Sequence, residues 1–190
     1  MANAPEAAKA LARAESAADR MARMITDLLQ FARVGGTRPQ RTAVDFDELV
    51  RGVLEDLHTA VTENAATVVV DTPVTVTGDP TLLGAVVQNL VANALKFSAA
   101  SGVTPRVEIR AYEVSAGWRV SVDDNGPGVS PAARERVFAL MERASGDDVA
   151  GLGIGLSTCR RIVQAHGGSI GIADSALGGA SVWMVLPRGE

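Results

Sequence analysis

Hydrophobic positions near the start of the chain recur with alternating spacings of three and four residues. Residues 5–33 contain no glycine, and their apolar positions form a heptad seam: Leu11, Ala14, Ala18, Met21, Ile25, Leu28 and Ala32. This two-in-seven pattern predicts one long helix that packs on other helices. A helix lying on its own globular domain is the alternative, but the strict repeat favours a bundle or a dimer through residues 11–32.

The pattern changes after a stretch that contains Gly35, Gly36 and Pro39. These residues break a helix, and we predict a linker over residues 35–41. The linker separates a helical segment, residues 1–34, from a second unit, residues 42–190. We therefore expect two parts with different periodicities, the second of them a mixed helix and strand domain.

Helical and strand patterns alternate along the second unit. Asp45 with Glu48 resembles a capping box before an amphipathic helix, and Asp79 followed by Pro80 marks the start of another. The remaining elements predicted are strands over residues 67–71, 75–77, 106–112, 118–123, 169–172 and 180–186, a helix from Pro131 to about Met141, and a helix that ends at His166 before Gly167. This order predicts an α+β fold, a two-layer α/β sandwich in which helices cover one sheet.

The composition of the chain limits the kinds of partner that it is expected to bind. The 18 basic and 22 acidic residues give a net charge of -4. Proteins that bind nucleic acid or an anionic membrane surface usually carry an excess of positive charge, which this chain lacks. No apolar run approaches the roughly 20 residues of a membrane helix. Cys159 is the one cysteine and fits a reducing compartment. We expect a cytoplasmic protein without nucleic-acid or membrane contact.

The helix after Pro80 carries a row of polar residues opposite a broad apolar face. Asn89, Asn93 and Lys96 are spaced by four and three residues, so they share one edge of the helix. Asparagine is a poor residue for a helix interior. An amide oxygen can bind a hard cation, and a lysine can face phosphate. A solvated helix edge is the alternative.

One glycine-rich segment follows a predicted strand, and a second precedes a predicted helix. Residues 123–128 read DDNGPG after a strand. A carboxylate there can accept a hydrogen bond from an exocyclic amine, and glycine lets the backbone approach a flat ring. An ordinary tight turn is the alternative. Residues 151–156 read GLGIGL at the start of a helix, where bare amides bind phosphate. The second segment fits neither the Rossmann fingerprint nor the Walker loop.

Taken in order, the Asn89–Lys96 row, the Asp124–Gly128 turn, the Gly151–Leu156 segment and the stretch Gly178-Gly179-Ala180-Ser181 resemble the four sequence boxes of the GHKL ATPase superfamily. More narrowly, residues 45–187 resemble the catalytic and ATP-binding domain of sensor histidine kinases. Residues 20–33 are similar to the second helix of that family's dimerisation and phosphoacceptor hairpin, with phytochrome-type kinases the most similar. The resemblance implies a Bergerat-type ATP-binding fold, ATP and Mg²⁺ as cofactors, and a response regulator receiver domain as partner.

Each matching motif implies a role. Asn93 is expected to coordinate Mg²⁺, Asn89 to assist it from one turn earlier, Lys96 to lie near the phosphates and Phe97 to pack by the nucleotide. Asp124 is expected to bind the adenine amine, with Gly126 and Gly128 shaping its pocket and Ser181 at the base. Gly151, Gly153, Gly155 and Leu156 are expected to close over the triphosphate, and residues 139–150 to form the ATP lid.

The residue at position 89 bears on the type of reaction. Hydrolytic members of the superfamily have a glutamate there that activates water, and asparagine cannot act as a general base. We therefore expect transfer of the γ-phosphoryl group to another nucleophile, by positioning and charge neutralisation. The alternatives are a regulatory Ser/Thr kinase module of the anti-sigma type and a hydrolase of the gyrase or chaperone type.

The two histidines do not match the family's phosphoacceptor. His58 is followed by Thr59 rather than by an acidic residue, and we expect it to face solvent. His166 precedes Gly167 and Gly168 at the end of a predicted helix. We therefore expect the acceptor histidine to lie on a first hairpin helix absent from this chain or on a partner, so that the chain alone does not phosphorylate itself.

Overall fold

The computed structural model describes residue 11, residues 39–139 and residues 153–188. The predicted seam lies outside the described residues except for Leu11, which is exposed. The predicted lid also lies outside them except for Ala139.

One five-stranded sheet forms the first layer of the fold. Its strands are β2 (Thr67–Asp71), β4 (Arg106–Val114), β5 (Gly117–Asp124), β6 (Ser169–Asp174) and β7 (Ala180–Leu186), and their order is β2-β4-β5-β7-β6. β2 runs parallel to β4, and the other pairs are antiparallel. A separate pair of short antiparallel strands is formed by β1 (Thr42–Asp45) and β3 (Thr75–Gly78). The strands alternate between a buried and an outer face, as a sheet covered on one side requires.

Helices form the second layer. They are α1 (Phe46–Asp56), α2 (His58–Glu63), α3 (Pro80–Ala100) and α4 (Gly155–Ala165). One continuous core joins helices to sheet and includes Phe46, Leu83, Val91, Ile109 and Met184. The predicted α+β two-layer sandwich is therefore confirmed.

The central helix α3 is defined at its start by side-chain bonds. Asp79 Oδ1 accepts hydrogen bonds from the amides of Thr81 and Leu82 at 3.0 and 3.1 Å, and Pro80 occupies the first turn. By length and apolar content α3 could cross a membrane, contrary to the expectation that no apolar segment reaches that length. Its apolar side is instead buried in the domain core, so the composition is that of a core helix.

Three local expectations differ from the structure. In place of a continuous helix after Pro131, residues 131–138 form two short 3₁₀ turns, Pro131–Ala133 and Arg136–Phe138. The amphipathic helix after Asp45 is interrupted at Leu57, which separates α1 from α2. The strand β1 was not predicted, because four residues that pair with partners 30 or more positions away leave little local signal.

Candidate functional site

The predicted polar row on α3 forms a connected pair of amides. Asn93 Nδ2 donates a hydrogen bond to Asn89 Oδ1 over 3.0 Å. This bond uses the nitrogen of Asn93 and leaves its carbonyl oxygen Oδ1 as the acceptor of the pair that is not committed to Asn89. Both side chains are partly exposed, so that oxygen can serve as a ligand.

The start of α4 is packed directly on this pair. A Cβ atom added to Gly155 would lie only 2.4 Å from Asn89 Nδ2 and 2.7 Å from Asn89 Oδ1. Only glycine permits this approach, which places the first turn of α4 beside the amides of α3. Gly153, just before it, has a φ of 69°, a left-handed conformation that glycine adopts without strain.

The first turn of α4 has no side-chain cap. Ile154 occupies the N-cap position and is buried, so it offers no oxygen to the helix amides. The hydroxyls of Ser157 and Thr158 turn back instead and donate to the carbonyl oxygen of Ile154 over 2.7 and 2.9 Å. The amides at this end of the helix carry the positive end of its dipole and are suited to an anion.

Lys96 and Phe97 continue the same helix beyond the asparagines. Lys96 Nζ lies 5.0 Å from the centre of the Phe97 ring, within the range of a cation–π contact. Both residues are partly exposed. The structure thus places a cation and an aromatic ring on the helix that carries the two amides.

Asp124, at the end of β5, is a buried carboxylate held by backbone amides. Its side-chain oxygen Oδ1 accepts hydrogen bonds from the amides of Gly126 at 2.8 Å and Ala180 at 3.1 Å. Its backbone carbonyl accepts a third from Gly179 at 3.1 Å. The structure gives the second carboxylate oxygen, Oδ2, no donor from residues 39–139 or 153–188. Asp124 can therefore accept one further hydrogen bond.

Two glycines beside Asp124 are required for different reasons. A Cβ on Gly179 would lie 2.2 Å from Asp124 Oδ1 and 2.5 Å from the amide nitrogen of Gly126. Gly128 has a φ of 71°, a left-handed conformation that favours glycine, and it lies next to the carbonyl oxygen of Gly179. The predicted adenine turn and the glycine stretch before β7 are thus in contact, although 56 residues separate Asp124 from Ala180.

Burial raises the pKa of the Asp124 carboxyl group above its usual 3.8. The amides of Ala180 and Gly126 act in the opposite direction because they stabilise the charged form, and the neighbouring charge of Asp123 adds to the increase. Asp124 is only 7% exposed. A further hydrogen-bond donor, such as one from a ligand, would therefore stabilise the ionised carboxylate of Asp124.

Sequence reasoning missed Ser98, which lies one residue beyond Phe97. Ser98 is fully buried, and its hydroxyl has no hydrogen-bond partner among the described residues. A Cβ on Gly126 would lie 3.3 Å from this hydroxyl and 3.1 Å from Asp124 Oδ1, so Ser98 adjoins the Asp124 turn. The available signal was a polar residue on the apolar stripe of α3, four residues after Ala94.

Ser181 lies on the other face of the sheet from Asp124. It pairs with Asp123 across β5 and β7, and paired side chains share one face. Asp123 points to the outer face, where its Oδ2 accepts a hydrogen bond from Ser121 over 2.9 Å. Gly179 and Ala180 are the residues of that stretch that contact Asp124, so the predicted place of Ser181 at the base of the pocket does not agree with this register.

Some of the remaining predicted site residues are described by the structure and others are not. Gly151 and Leu152, like Met141, lie outside the described residues. Leu156 is partly buried and packs against both hydrophobic clusters of the domain. Its side chain therefore contributes packing, and only its backbone belongs to the uncapped first turn of α4.

The histidines have the places that the sequence predicted. His58 is exposed at the start of α2. His166 is buried: its Nε2 accepts a hydrogen bond from the amide of Asp79 at 3.0 Å, and its Nδ1 lies 2.8 Å from the carbonyl oxygen of Ile162. Because an amide can only donate, His166 is the neutral tautomer that donates through Nδ1. It joins the end of α4 to the start of α3.

The donor set limits which metal the site can hold. Within residues 39–139 and 153–188, no group of three or more His, Cys, Asp or Glu side chains could bind a metal ion. A cation at this site would take an amide oxygen from Asn93 and its other ligands from a nucleotide and water. Mg²⁺ is commonly bound in this way, through few protein oxygens plus substrate phosphates.

Comparisons with known proteins identify the family of the chain. Residues 78–190 match the family model described as histidine kinase-, DNA gyrase B- and HSP90-like ATPase. The phytochrome-like protein Cph1 of Synechocystis sp. is 32% identical over 90% of this chain and 23% of its own length. The adaptive-response sensory kinase SasA of a Synechococcus sp. is 38% identical over 88% of this chain and 46% of its own length.

A solved structure has a similar fold. Full-length ShkA, crystallised in complex with AMPPNP, has 29% sequence identity and a TM-score of 0.76, over 99% of this chain and 40% of that one. The chain described here thus spans between about a quarter and a half of these longer proteins.

Proposed function

The chain belongs to the family of histidine kinase-, DNA gyrase B- and HSP90-like ATPases, as the ATP-binding catalytic domain of a sensor histidine kinase, and we propose that it binds ATP with Mg²⁺ and transfers the γ-phosphoryl group to a histidine outside this chain. The observation that carries this proposal is the contact between Gly155, at the uncapped start of α4, and the amide of Asn89 on α3. It brings anion-binding amides and a cation-binding pair to one place.

Asp124 is proposed to bind the adenine base. Two amides fix its Oδ1, so Oδ2 has a defined direction and can accept a hydrogen bond from the exocyclic amine of adenine. Guanine presents a carbonyl oxygen in place of that amine, and two acceptors would face each other. The site is therefore expected to prefer adenine nucleotides.

Asn93 and the first turn of α4 are proposed to hold the triphosphate. Asn93 would offer Oδ1 to the cation, and the α4 amides would face the phosphate oxygens. Bound Mg²⁺ would supply charge neutralisation on the transferring group. Lys96, on the same helix, adds a positive charge, and Asn89 keeps Asn93 in place through their hydrogen bond.

Transfer is favoured over hydrolysis by the residue types at this position. No side chain of the Asn89–Asn93 pair can accept a proton from water at neutral pH. Catalysis then depends on the position of an external nucleophile relative to the γ-phosphate. Neither histidine offers that nucleophile within the site, because both ring nitrogens of His166 are engaged and His58 lies on α2.

The wider setting is also a proposal. We expect the acceptor histidine on a first hairpin helix or on a second subunit, with residues 11–32 forming the dimer seam. From there the phosphoryl group would pass to the receiver domain of a response regulator in the cytoplasm. Similar proteins described as an adaptive-response sensory kinase and as a mycobacterial sensor histidine kinase support this setting.

Labelling with γ-³²P-ATP tests the proposal. The chain is incubated alone, with a phosphoacceptor hairpin of a related sensor kinase, and with the same hairpin after replacement of its histidine by alanine. The expected result is acid-labile label on the intact hairpin only. Acid-labile label on the isolated chain would contradict an external acceptor, label on serine would indicate a regulatory Ser/Thr kinase, and repeated phosphate release without an acceptor would indicate a hydrolase.

A further inference from the structure

Ser98 carries a buried hydroxyl that the described part of the fold does not use. Its side chain is 0% exposed, and its Oγ has no hydrogen-bond partner among residues 39–139 and 153–188. An unpaired hydroxyl in the interior costs free energy of folding. A polar group kept at that cost beside a proposed binding site points to a partner that arrives with the ligand.

Other hydroxyls at helix positions of the same domain bond to the helix itself. Ser157 and Thr158 donate to the carbonyl oxygen of Ile154 over 2.7 and 2.9 Å. Ser101 donates to the carbonyl oxygen of Ser98 over 2.7 Å. Bonds of this kind, to a carbonyl three or four residues earlier, are common for serine and threonine in helices. Ser98 Oγ makes no such bond to any described residue, so its hydroxyl can serve another acceptor.

Ser98 lies against the turn that holds the Asp124 carboxylate. A Cβ built on Gly126 would lie 3.3 Å from Ser98 Oγ, 3.2 Å from the Ser98 amide nitrogen and 3.1 Å from Asp124 Oδ1. The hydroxyl and the carboxylate therefore border the same small space. The φ of Gly126 is not positive, so glycine at this position leaves space rather than satisfying an unusual backbone conformation.

The hydroxyl on the Asp124 side of the sheet is that of Ser98 and not that of Ser181. Ser181 pairs with Asp123 on the outer face, whereas Ser98 approaches Asp124 from α3, in the layer that covers the inner face. Both serines are buried, so the face of the sheet separates them and burial does not. The role that the sequence assigned to Ser181 at the base of the pocket is therefore open to Ser98.

Adenine presents a second polar group beside its exocyclic amine. The ring nitrogen N1 adjoins the carbon that carries the amine, and it accepts a hydrogen bond but cannot donate one. An ionised carboxylate can bind the amine but not N1, because both are acceptors. N1 therefore requires a donor close to Asp124, and a hydroxyl can be that donor.

We infer that Ser98 is a specificity-determining residue of the nucleotide site, whose hydroxyl donates to N1 of adenine, directly or through one bound water, while Asp124 accepts from the amine. The inference rests on the proposed binding of an adenine nucleotide beside Asp124. Ser98 is closed to solvent in the structure, so binding of the base requires a displacement of the turn at Gly126. The amine and N1 are then recognised together, and a base that lacks either group loses a hydrogen bond.

Calorimetric titration of the full chain with ADP and with 1-deaza-ADP tests this pairing. The analogue keeps the amine and has C–H in place of N1. The unmodified chain should bind it about 3- to 10-fold more weakly than ADP, the effect of one neutral hydrogen bond. Ser98→Ala should weaken ADP binding by a similar factor and leave 1-deaza-ADP binding unchanged, because that analogue offers the hydroxyl no acceptor. Equal affinities of the unmodified chain for the two nucleotides would overturn the inference, as would a Ser98→Ala variant that weakens both equally or neither.

Two controls separate a contact with the base from a structural effect. Ser181→Ala removes a buried hydroxyl from the outer face of the sheet and should leave ADP affinity unchanged. A loss equal to that of Ser98→Ala would overturn the choice between the two serines. The second control is 7-deaza-ADP, which is altered on the opposite edge of the base and should lose as much affinity in Ser98→Ala as ADP does. If 7-deaza-ADP behaved like 1-deaza-ADP, the assignment to N1 would be wrong.

The same titrations distinguish this inference from the proposed function. Urea denaturation checks that Ser98→Ala is folded, and the comparison of nucleotides on the unmodified chain needs no variant. Absence of ADP binding to the unmodified chain would refute the proposed function and the inference with it. ADP binding that is weakened by Asp124→Asn but not by Ser98→Ala would refute the inference alone.

Discussion

Replacement of Asp124 by asparagine gives the sharpest test of the nucleotide site. The substitution keeps the shape of the side chain, and the amide oxygen can still accept the bonds now made by Gly126 and Ala180. The other end of the side chain then becomes an NH₂ group. It faces the exocyclic amine of adenine as donor against donor, so the expected contact is lost.

The magnitude follows from the type of hydrogen bond. A bond to a charged acceptor contributes about 1.5–3 kcal/mol, and each 1.4 kcal/mol is a tenfold change in affinity. Asp124→Asn should therefore weaken ATP and ADP binding by about 10- to 150-fold in a calorimetric titration. Stability should not fall, because burial raises the pKa of Asp124 and the ionised group consequently costs folding energy at neutral pH.

Asp123→Asn is the matched control. It makes the same chemical change one residue earlier, on the outer face of the sheet, where Asp123 bonds Ser121. Nucleotide affinity should remain within twofold of the unmodified chain. Wild-type affinity in Asp124→Asn, or an equal loss in both variants, would show that adenine binds elsewhere.

Three further predictions concern the same site. Affinity for ADP should fall as pH is lowered through the raised pKa of Asp124, at a pH above the 3.8 of an ordinary aspartate, and titrations of Asp124→Asn should lack this dependence. Gly155→Ala should push the Asn89 amide away, because the added Cβ would lie 2.4 Å from Asn89 Nδ2. We expect a loss of at least tenfold in Mg²⁺-dependent ATP affinity. Calorimetry that shows an unchanged effect of Mg²⁺ on ATP affinity would contradict the contact. Ser98→Ala should leave the free energy of unfolding unchanged or higher because its hydroxyl has no partner among residues 39–139 and 153–188, whereas Ser157→Ala should lower it by about 1 kcal/mol. Urea denaturation measures both, and the reverse order would contradict the assignment.

Local sequence signals predicted the helix ends well. Asp45 caps α1 and Asp79 caps α3, as the capping pattern indicated. Gly167 follows α4 with a φ of 77°, the left-handed conformation expected after a helix end. These features depend on a few neighbouring residues, so their cause is present in a short stretch of sequence.

Less local features were predicted poorly. The break at Leu57 and the 3₁₀ turns after Pro131 interrupt patterns that are compatible with helix. A short strand such as β1 exists only because β3 offers it backbone partners. Tertiary contacts can override local preference in such segments.

By itself the sequence determined which residue types could do the chemistry and in what order they occur. The Asn89–Lys96 row, Asp124 and the glycine segments predicted an adenine-nucleotide site through their resemblance to the motifs of a known family. Only the tertiary structure decided that Gly155 contacts Asn89, that the amide of Ala180 holds Asp124, and that Ser181 faces away. The physical reason is that strand register and helix packing join residues far apart in the chain, and no periodicity along the chain specifies either.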